Sequence, residues 1–156
     1  MGAAMTDLRK KKRIAVIGGA KAETEHLQLA EEVGRLIAKR GGILVCGGLG
    51  GVMEAASKGA KKAGGSTIGI LPGKDRAEAN AYIDIAIATG LGFTRNSLVA
   101  MNADAVIAVD GQYGTLSEIA YTLVYGKKVI GLETWDIHGV RVATSPDEAV
   151  KLAFEE

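Results

Sequence analysis

The segment Gly111-Gln112-Tyr113-Gly114-Thr115-Leu116-Ser117-Glu118 combines residue types that can hold an anion and act on what is attached to it. Glycines 111 and 114 let the backbone wrap a phosphate, and the free N–H groups at the start of a following helix carry partial positive charge. Thr115 is expected to cap that helix, with Glu118 one turn further on facing the same edge; the two also match a capping box, which is the plain account of the pair. Thr94-Arg95-Asn96 opens the preceding helix, so Arg95 can reach the same cleft. A guanidinium and a carboxylate flanking a phosphate loop could fix a nucleoside monophosphate, Arg95 on the phosphate or base and Glu118 on the ribose hydroxyls. Glu118 could instead stabilise positive charge on a ribose as an N-glycosidic bond breaks. A surface salt bridge is the plain account of Arg95.

These residues need a scaffold that brings loops together, and the chain alternates short apolar runs with amphipathic stretches in the βαβ manner. Arg13–Gly18, Ile43–Cys46, Ser66–Leu71, Tyr82–Ala88, Asp104–Val109 and Lys128–Leu132 read as strands. Helices are expected over Glu23–Arg40, Val52–Ala63, Thr94–Asn102 and Thr115–Tyr125, and after the Ser145 cap with Pro146 in the first turn. The predicted fold is a single doubly wound, Rossmann-like α/β domain over residues 13–156, its sheet mostly parallel and covered by helices on both faces. Parallel strands joined by right-handed crossovers bring their carboxyl ends to one edge, where ligands bind. Gly18–Lys21, Gly47-Gly48-Leu49-Gly50-Gly51, the polar Pro72–Ala81 connection and Asp110–Thr115 all fall there. A tight turn explains any one glycine pair; three such loops on one edge favour a ligand. Pro72–Ala81 is expected to be the mobile segment.

Composition narrows the function. The 22 glycines among 156 residues are about twice ordinary usage, and the net charge of +1 gives no field for nucleic acid or an anionic membrane. Residues 1–12, ending in Arg9-Lys10-Lys11-Lys12, read as a flexible basic tail. No apolar run approaches a membrane span, and the lone Cys46 fits a small apolar group at a strand end in a reducing cytoplasm. No Cys/His cluster suggests a metal, and His26 and His138 read as surface or capping residues. Gly18-Gly19-Ala20-Lys21 lacks the G-x-G-x-x-G spacing of dinucleotide binding, and no Walker A sequence occurs. Tyr121, Tyr125 and Trp135 form an aromatic group suited either to a two-fold interface or to the core.

The ordered motifs Gly47-Gly48-Leu49-Gly50-Gly51-Val52-Met53, Arg95-Asn96 and Asp104 through Glu118 resemble the LOG-like Rossmann superfamily over roughly Arg13–Leu132. That superfamily includes cytokinin-activating nucleoside-monophosphate phosphoribohydrolases, often mislabelled lysine decarboxylases, and molybdenum cofactor carrier proteins. The phosphoribohydrolases read Pro-Gly-Gly-x-Gly-Thr-x-x-Glu after an Arg-Lys pair. Here Asp110 replaces the proline, Gln112 a glycine and Asn96 the lysine, while Arg95, Gly111, Gly114, Thr115 and Glu118 are retained. Arg-Asn and the short length resemble the carrier branch, which implies a homo-oligomer, dimer or tetramer, binding a pterin phosphate. The resemblance implies backbone walls at Gly18, Gly19, Gly47, Gly48, Gly50 and Gly51, an anion loop at Gly111–Thr115 including Gln112 and Tyr113, and side-chain contacts from Arg95, Asn96 and Glu118. The expected ligand is a small phosphorylated nucleotide or a molybdopterin-type molecule, with no other cofactor required. Arg95 and Glu118 are catalytic if the chain is a phosphoribohydrolase; a nucleotide-responsive sensor is a third reading. Asp110 would repel phosphate unless paired, and otherwise reads a base or pterin edge or holds the turn.

Overall fold

Runs of β-branched residues become central strands where both sheet faces are covered, and the amphipathic stretches between them supply the cover. The computed structural model describes residues 7–156. Its strands are β1 (Arg13–Gly18), β2 (Ile43–Cys46), β3 (Ser66–Leu71), β4 (Ile85–Ala88), β5 (Ala105–Val109), β6 (Lys128–Leu132) and β7 (Val140–Val142). They form one sheet in the order β4-β3-β2-β1-β5-β6-β7. Every pairing is parallel, including the central β1–β5 pair with Ile14 opposite Ala105. The sheet is therefore wholly, not mostly, parallel.

Helices α1 (Thr24–Lys39), α2 (Val52–Lys62) and α5 (Pro146–Phe154) pack on one face around Ile14, Val16, Leu44, Ile107 and Ile130. The short α3 (Asn96–Met101) and α4 (Tyr113–Val124) cover the other, over Ala15, Ile17, Val106, Ala108 and Val129. Ser145 caps α5 by accepting from Glu148 N at 3.2 Å, with Pro146 in the first turn, as the sequence indicates. The expected strand over Tyr82–Ala88 shortens to its last four residues, because Asp84 N and Tyr82 O are engaged by Thr67 and Asn80 Oδ1 receives Tyr82 N. The expected helix over Thr94–Asn102 is a 3-10 turn, Gly92–Arg95, running into α3.

The proposed flexible tail falls partly on residues 1–6, which lie outside the described residues. Within the rest, Leu8–Lys10 forms a 3-10 turn capped by Asp7, and Lys12 Nζ donates to Phe154 O at 2.8 Å. The Pro72–Ala81 connection holds a 3-10 turn at Arg76–Glu78, and Asn80 Nδ2 donates to Leu49 O at 2.8 Å.

The α1–α2 contact sets how the second glycine loop sits. A Cβ on Gly34 would run into Ala56 O, and one on Gly59 into Glu31 O, so the two helices touch backbone to backbone. Gly34→Ala and Gly59→Ala are each expected to cost about 1–3 kcal/mol through forced separation of α1 from α2. Urea unfolding measures this, and an unchanged midpoint would contradict the close approach.

Candidate functional site

The winding of the sheet reverses between β1 and β5, so the loops leaving these neighbours diverge over opposite faces and leave a crevice. A cavity of about 360 Å³ opens there, within the range of small-molecule sites. One wall is the β1–α1 loop, Gly18 to Lys21, and the facing wall is Gln112, Gly114, Thr115 and Glu118 of α4 and its approach. Leu49, Met53 and Phe93 supply an apolar side, with Phe93 86% exposed and its ring open to a planar group. Arg95 and Asn96 form the floor.

Helix α4 begins two residues earlier than expected, with Gln112 in the cap position and no side-chain cap. Thr115 therefore lies inside the first turn and caps nothing, and the capping box with Glu118 does not form. The first intrahelical bond runs from Leu116 N to Gln112 O at 2.9 Å, which leaves the N–H groups of Tyr113, Gly114 and Thr115 ahead of the ladder. No carboxylate occupies that first turn, so its partial positive charge is uncompensated. The N-terminus of α2 differs: Val52 N donates to Gly19 O at 3.0 Å.

Arg95 is 7% exposed and does not form the surface salt bridge that was its plain account. Its Nη2 donates to Gly47 O at 3.2 Å, its Nη1 to Asn96 Oδ1, and its Nε is buried without a partner. A Cβ on Gly47 would lie 2.7 Å from Arg95 Nη2, so glycine is required for this packing. Asn96 turns its amide nitrogen to Ser117 Oγ at 3.0 Å and Gly114 O at 3.4 Å. It thus ties the guanidinium to the first turn of α4. Glu118 lines the cavity at 6% exposure. Burial pushes its carboxyl up to about 8, and the attraction of Arg95 only partly offsets that. Burial likewise lowers Arg95, against the opposing pull of Glu118.

Of the residues expected at the site, Gly18, Gly19, Arg95, Asn96, Gln112, Gly114, Thr115 and Glu118 line this cavity. Gly47, Gly48, Gly50, Gly51, Asp110, Gly111 and Tyr113 do not line it; Gly47 packs on Arg95, and Tyr113 lies against Trp135 with ring centroids 6.0 Å apart. Trp135 Nε1 donates to Gln112 O at 3.0 Å, so the expected aromatic group divides, leaving Tyr121 stacked on Tyr125. Asp110 has φ 53° and points its carboxylate toward His26 Nδ1 at 3.8 Å, while Glu133, φ 51°, meets His26 Nε2 at 2.9 Å. His26 is thus a half-buried bracket between two strand ends and not an unpartnered surface residue. Cys46 is fully buried, with burial raising its thiol, in keeping with a packing role. Ala20, Lys21 and Leu49 fall in loops expected at the ligand edge but were not singled out, and Met53 and Phe93 were missed as lining residues; their places at the start of α2 and just before Arg95 were the available signal.

This architecture is that of a Rossmann-like α/β domain with its crevice at the sheet crossover. The chain belongs to the SLOG family, the model of the SLOG cluster4 family matching residues 11–155. The molybdenum cofactor binding protein of Rippkaea orientalis superposes with a TM-score of 0.87 at 42% identity, covering 92% of this chain and 95% of that one. The molybdenum cofactor carrier protein of Chlamydomonas reinhardtii gives 0.81 at 37% identity, covering 92% and 96%. A cytokinin riboside 5'-monophosphate phosphoribohydrolase of Mycobacterium tuberculosis is 35% identical over 121 residues, 71% of this chain and 64% of that protein. Among the described residues no helix is long and apolar enough to cross a membrane.

The state of Glu118 is testable through stability. A carboxyl raised from its ordinary value near 4.5 to about 8 binds its proton more tightly in the folded chain. Its contribution is complete below about pH 4.5, declines as pH rises toward 8, and is flat beyond. Glu118→Gln, which keeps the shape and cannot ionise, should therefore gain on the order of 2–4 kcal/mol over the wild type between pH 5 and pH 8. Parallel urea titrations at those two values would refute the raised value if the difference between the proteins stayed constant.

Proposed function

We propose that the chain binds and carries a phosphorylated, ring-bearing small molecule of the molybdopterin or nucleotide type without cleaving it. The observation that carries this reading is the use of Asn96, whose side chain is spent on Arg95, Ser117 and Gly114. At the position where the resembling hydrolases carry a lysine, this chain has a brace and no free charge. The uncapped start of α4 suits a phosphate, and the apolar side at Leu49, Met53 and Phe93 suits a planar ring. Glu118, protonated near neutral pH, fits a hydrogen-bond donor to that ring or its substituents. The carrier and binding proteins that superpose on the chain support the same reading.

Hydrolysis has one observation in its favour: the Arg95 and Glu118 pair faces the cavity, and the mycobacterial relative bears the name of that activity. A carboxylate that stabilises a cationic ribose must be ionised, so turnover by this chain would rise as pH passes about 8. Two measurements separate the readings. Small molecules released by denaturing the purified protein should include a pterin or nucleotide phosphate by mass, and AMP incubated with the protein should yield no ribose 5-phosphate above the buffer control. Ribose 5-phosphate that appears with the wild type, increases above pH 8 and is abolished by Glu118→Gln would replace the carrier reading with the enzymatic one.

We infer also that the chain assembles as a homo-oligomer, since Ile85 and Ile87 on the edge strand and Tyr121 and Val124 on α4 are exposed apolar groups. Sedimentation should give a dimer or tetramer, and a monomer at micromolar concentration would count against it.

A further inference from the structure

A cation outside the residues that the family motifs point to also lines the crevice. Helix α4 presents open N–H groups over a first turn without a carboxylate, which by itself is only a helix start. An independent feature marks the space in front of it as a ligand site: Glu118, more than nine-tenths buried, faces the cavity with no hydrogen-bond partner for its carboxyl among the described residues. Arg95 is 7% exposed and held in place by one bond from each terminal nitrogen, so it cannot follow a ligand, and Asn96 carries no charge. Asp110 and Glu133, which could neutralise a cation here, turn to His26.

Lys21 remains. It is exposed, lines the cavity from the β1–α1 loop opposite the start of α4, and forms no ion pair among the described residues. We infer that Lys21 closes on the phosphate of the ligand from the wall facing α4, and that it makes the crevice prefer a phosphorylated ligand over its unphosphorylated counterpart. The inference rests on the reading of the crevice as a phosphate-holding site. A lysine suits the task because its ammonium is a compact point charge on a flexible four-carbon stem, able to follow a tetrahedral dianion without the planar match that a guanidinium demands. The two walls divide the work: backbone N–H groups of α4 fix the position of the anion, and Lys21 supplies net charge. The opposite strand end thereby restores the cation that Asn96 lacks.

Inorganic phosphate is the probe, because any phosphorylated ligand shares its chemistry. In amide-resolved NMR titrations at constant ionic strength, the Gly114 and Thr115 resonances of the wild type should shift and saturate. Lys21→Ala should weaken that binding about tenfold while the same resonances still respond, and Lys21→Arg should restore most of it. AMP and adenosine titrated in parallel should show a phosphate preference in the wild type that Lys21→Ala removes. Gly114 and Thr115 resonances that stay fixed in the wild type would overturn the phosphate reading of the crevice and this assignment with it. Equal binding by wild type and Lys21→Ala would overturn the role of Lys21 alone. The side chain is exposed, so either outcome is read on a folded protein.

Discussion

A parallel sheet that winds one way from β1 to β4 and the other way from β5 to β7 must part its loops somewhere, and it parts them between β1 and β5. Both neighbours are buried on both faces, so neither can shift to close the gap. The β1 loop leaves over one layer of helices and the β5 loop over the other. Everything chemical in this chain is arranged around that separation. The close α1–α2 contact through Gly34 and Gly59 holds the second glycine loop behind the first, where Val52 N takes up Gly19 O. The second loop therefore supports the crevice wall while α4 faces the opening.

Within the crevice, desolvation outweighs attraction. A guanidinium and a carboxyl line one cavity, and each favours the charged form of the other, yet burial dominates at Glu118 and leaves it protonated near neutral pH. The chain accepts this cost without a direct ion pair, and the partnerless Nε of Arg95 and the cavity-lining carboxyl of Glu118 are groups that a ligand can meet. The Arg95 Nε is an unmet donor of a kind a folded core would normally exclude, at a place where a small molecule can complete it.

Much of the scaffold was legible because its signals are local. Buried parallel strands such as Ile14–Ile17 and Ala105–Val109 read as unbroken apolar runs, and the glycine pairs marked the turns between them. β7 was not legible: one half-buried and two exposed residues on the sheet edge leave no periodicity to find. Arg95, Asn96 and Glu118 were found as residue types in motifs. Their roles were not, since a threonine two residues into a helix looks the same as a cap, and only the backbone shows that Gln112 starts α4. His26 was passed over because its partners, Asp110 and Glu133, come from strand ends far along the chain. Phe93 carries no motif, and the fold alone places it in the crevice, whereas Lys21 lies in a loop the sequence already put at that edge without giving it a role.

The backbone at Asp110 resolves an apparent conflict in the motif. A carboxylate directly before an anion loop would repel a phosphate if it pointed inward. With φ at 53°, a conformation that side chains rarely adopt, Asp110 instead turns outward to His26, while Thr134 Oγ1 donates to its carbonyl at 2.6 Å. Asparagine and aspartate tolerate this region better than most residues, and proline cannot enter it, because its ring fixes φ near −65°. A proline at this position, as in the phosphoribohydrolase motif the chain resembles, would require a different backbone path as well as a different charge. The path taken at Asp110 brings the β5 loop under the hold of α1 and of the segment after β6, and it fixes the direction in which α4 sets out. The N–H groups at the start of α4 stay open while Asp110 faces His26 on the far side and the Gln112 carbonyl accepts from Trp135 Nε1.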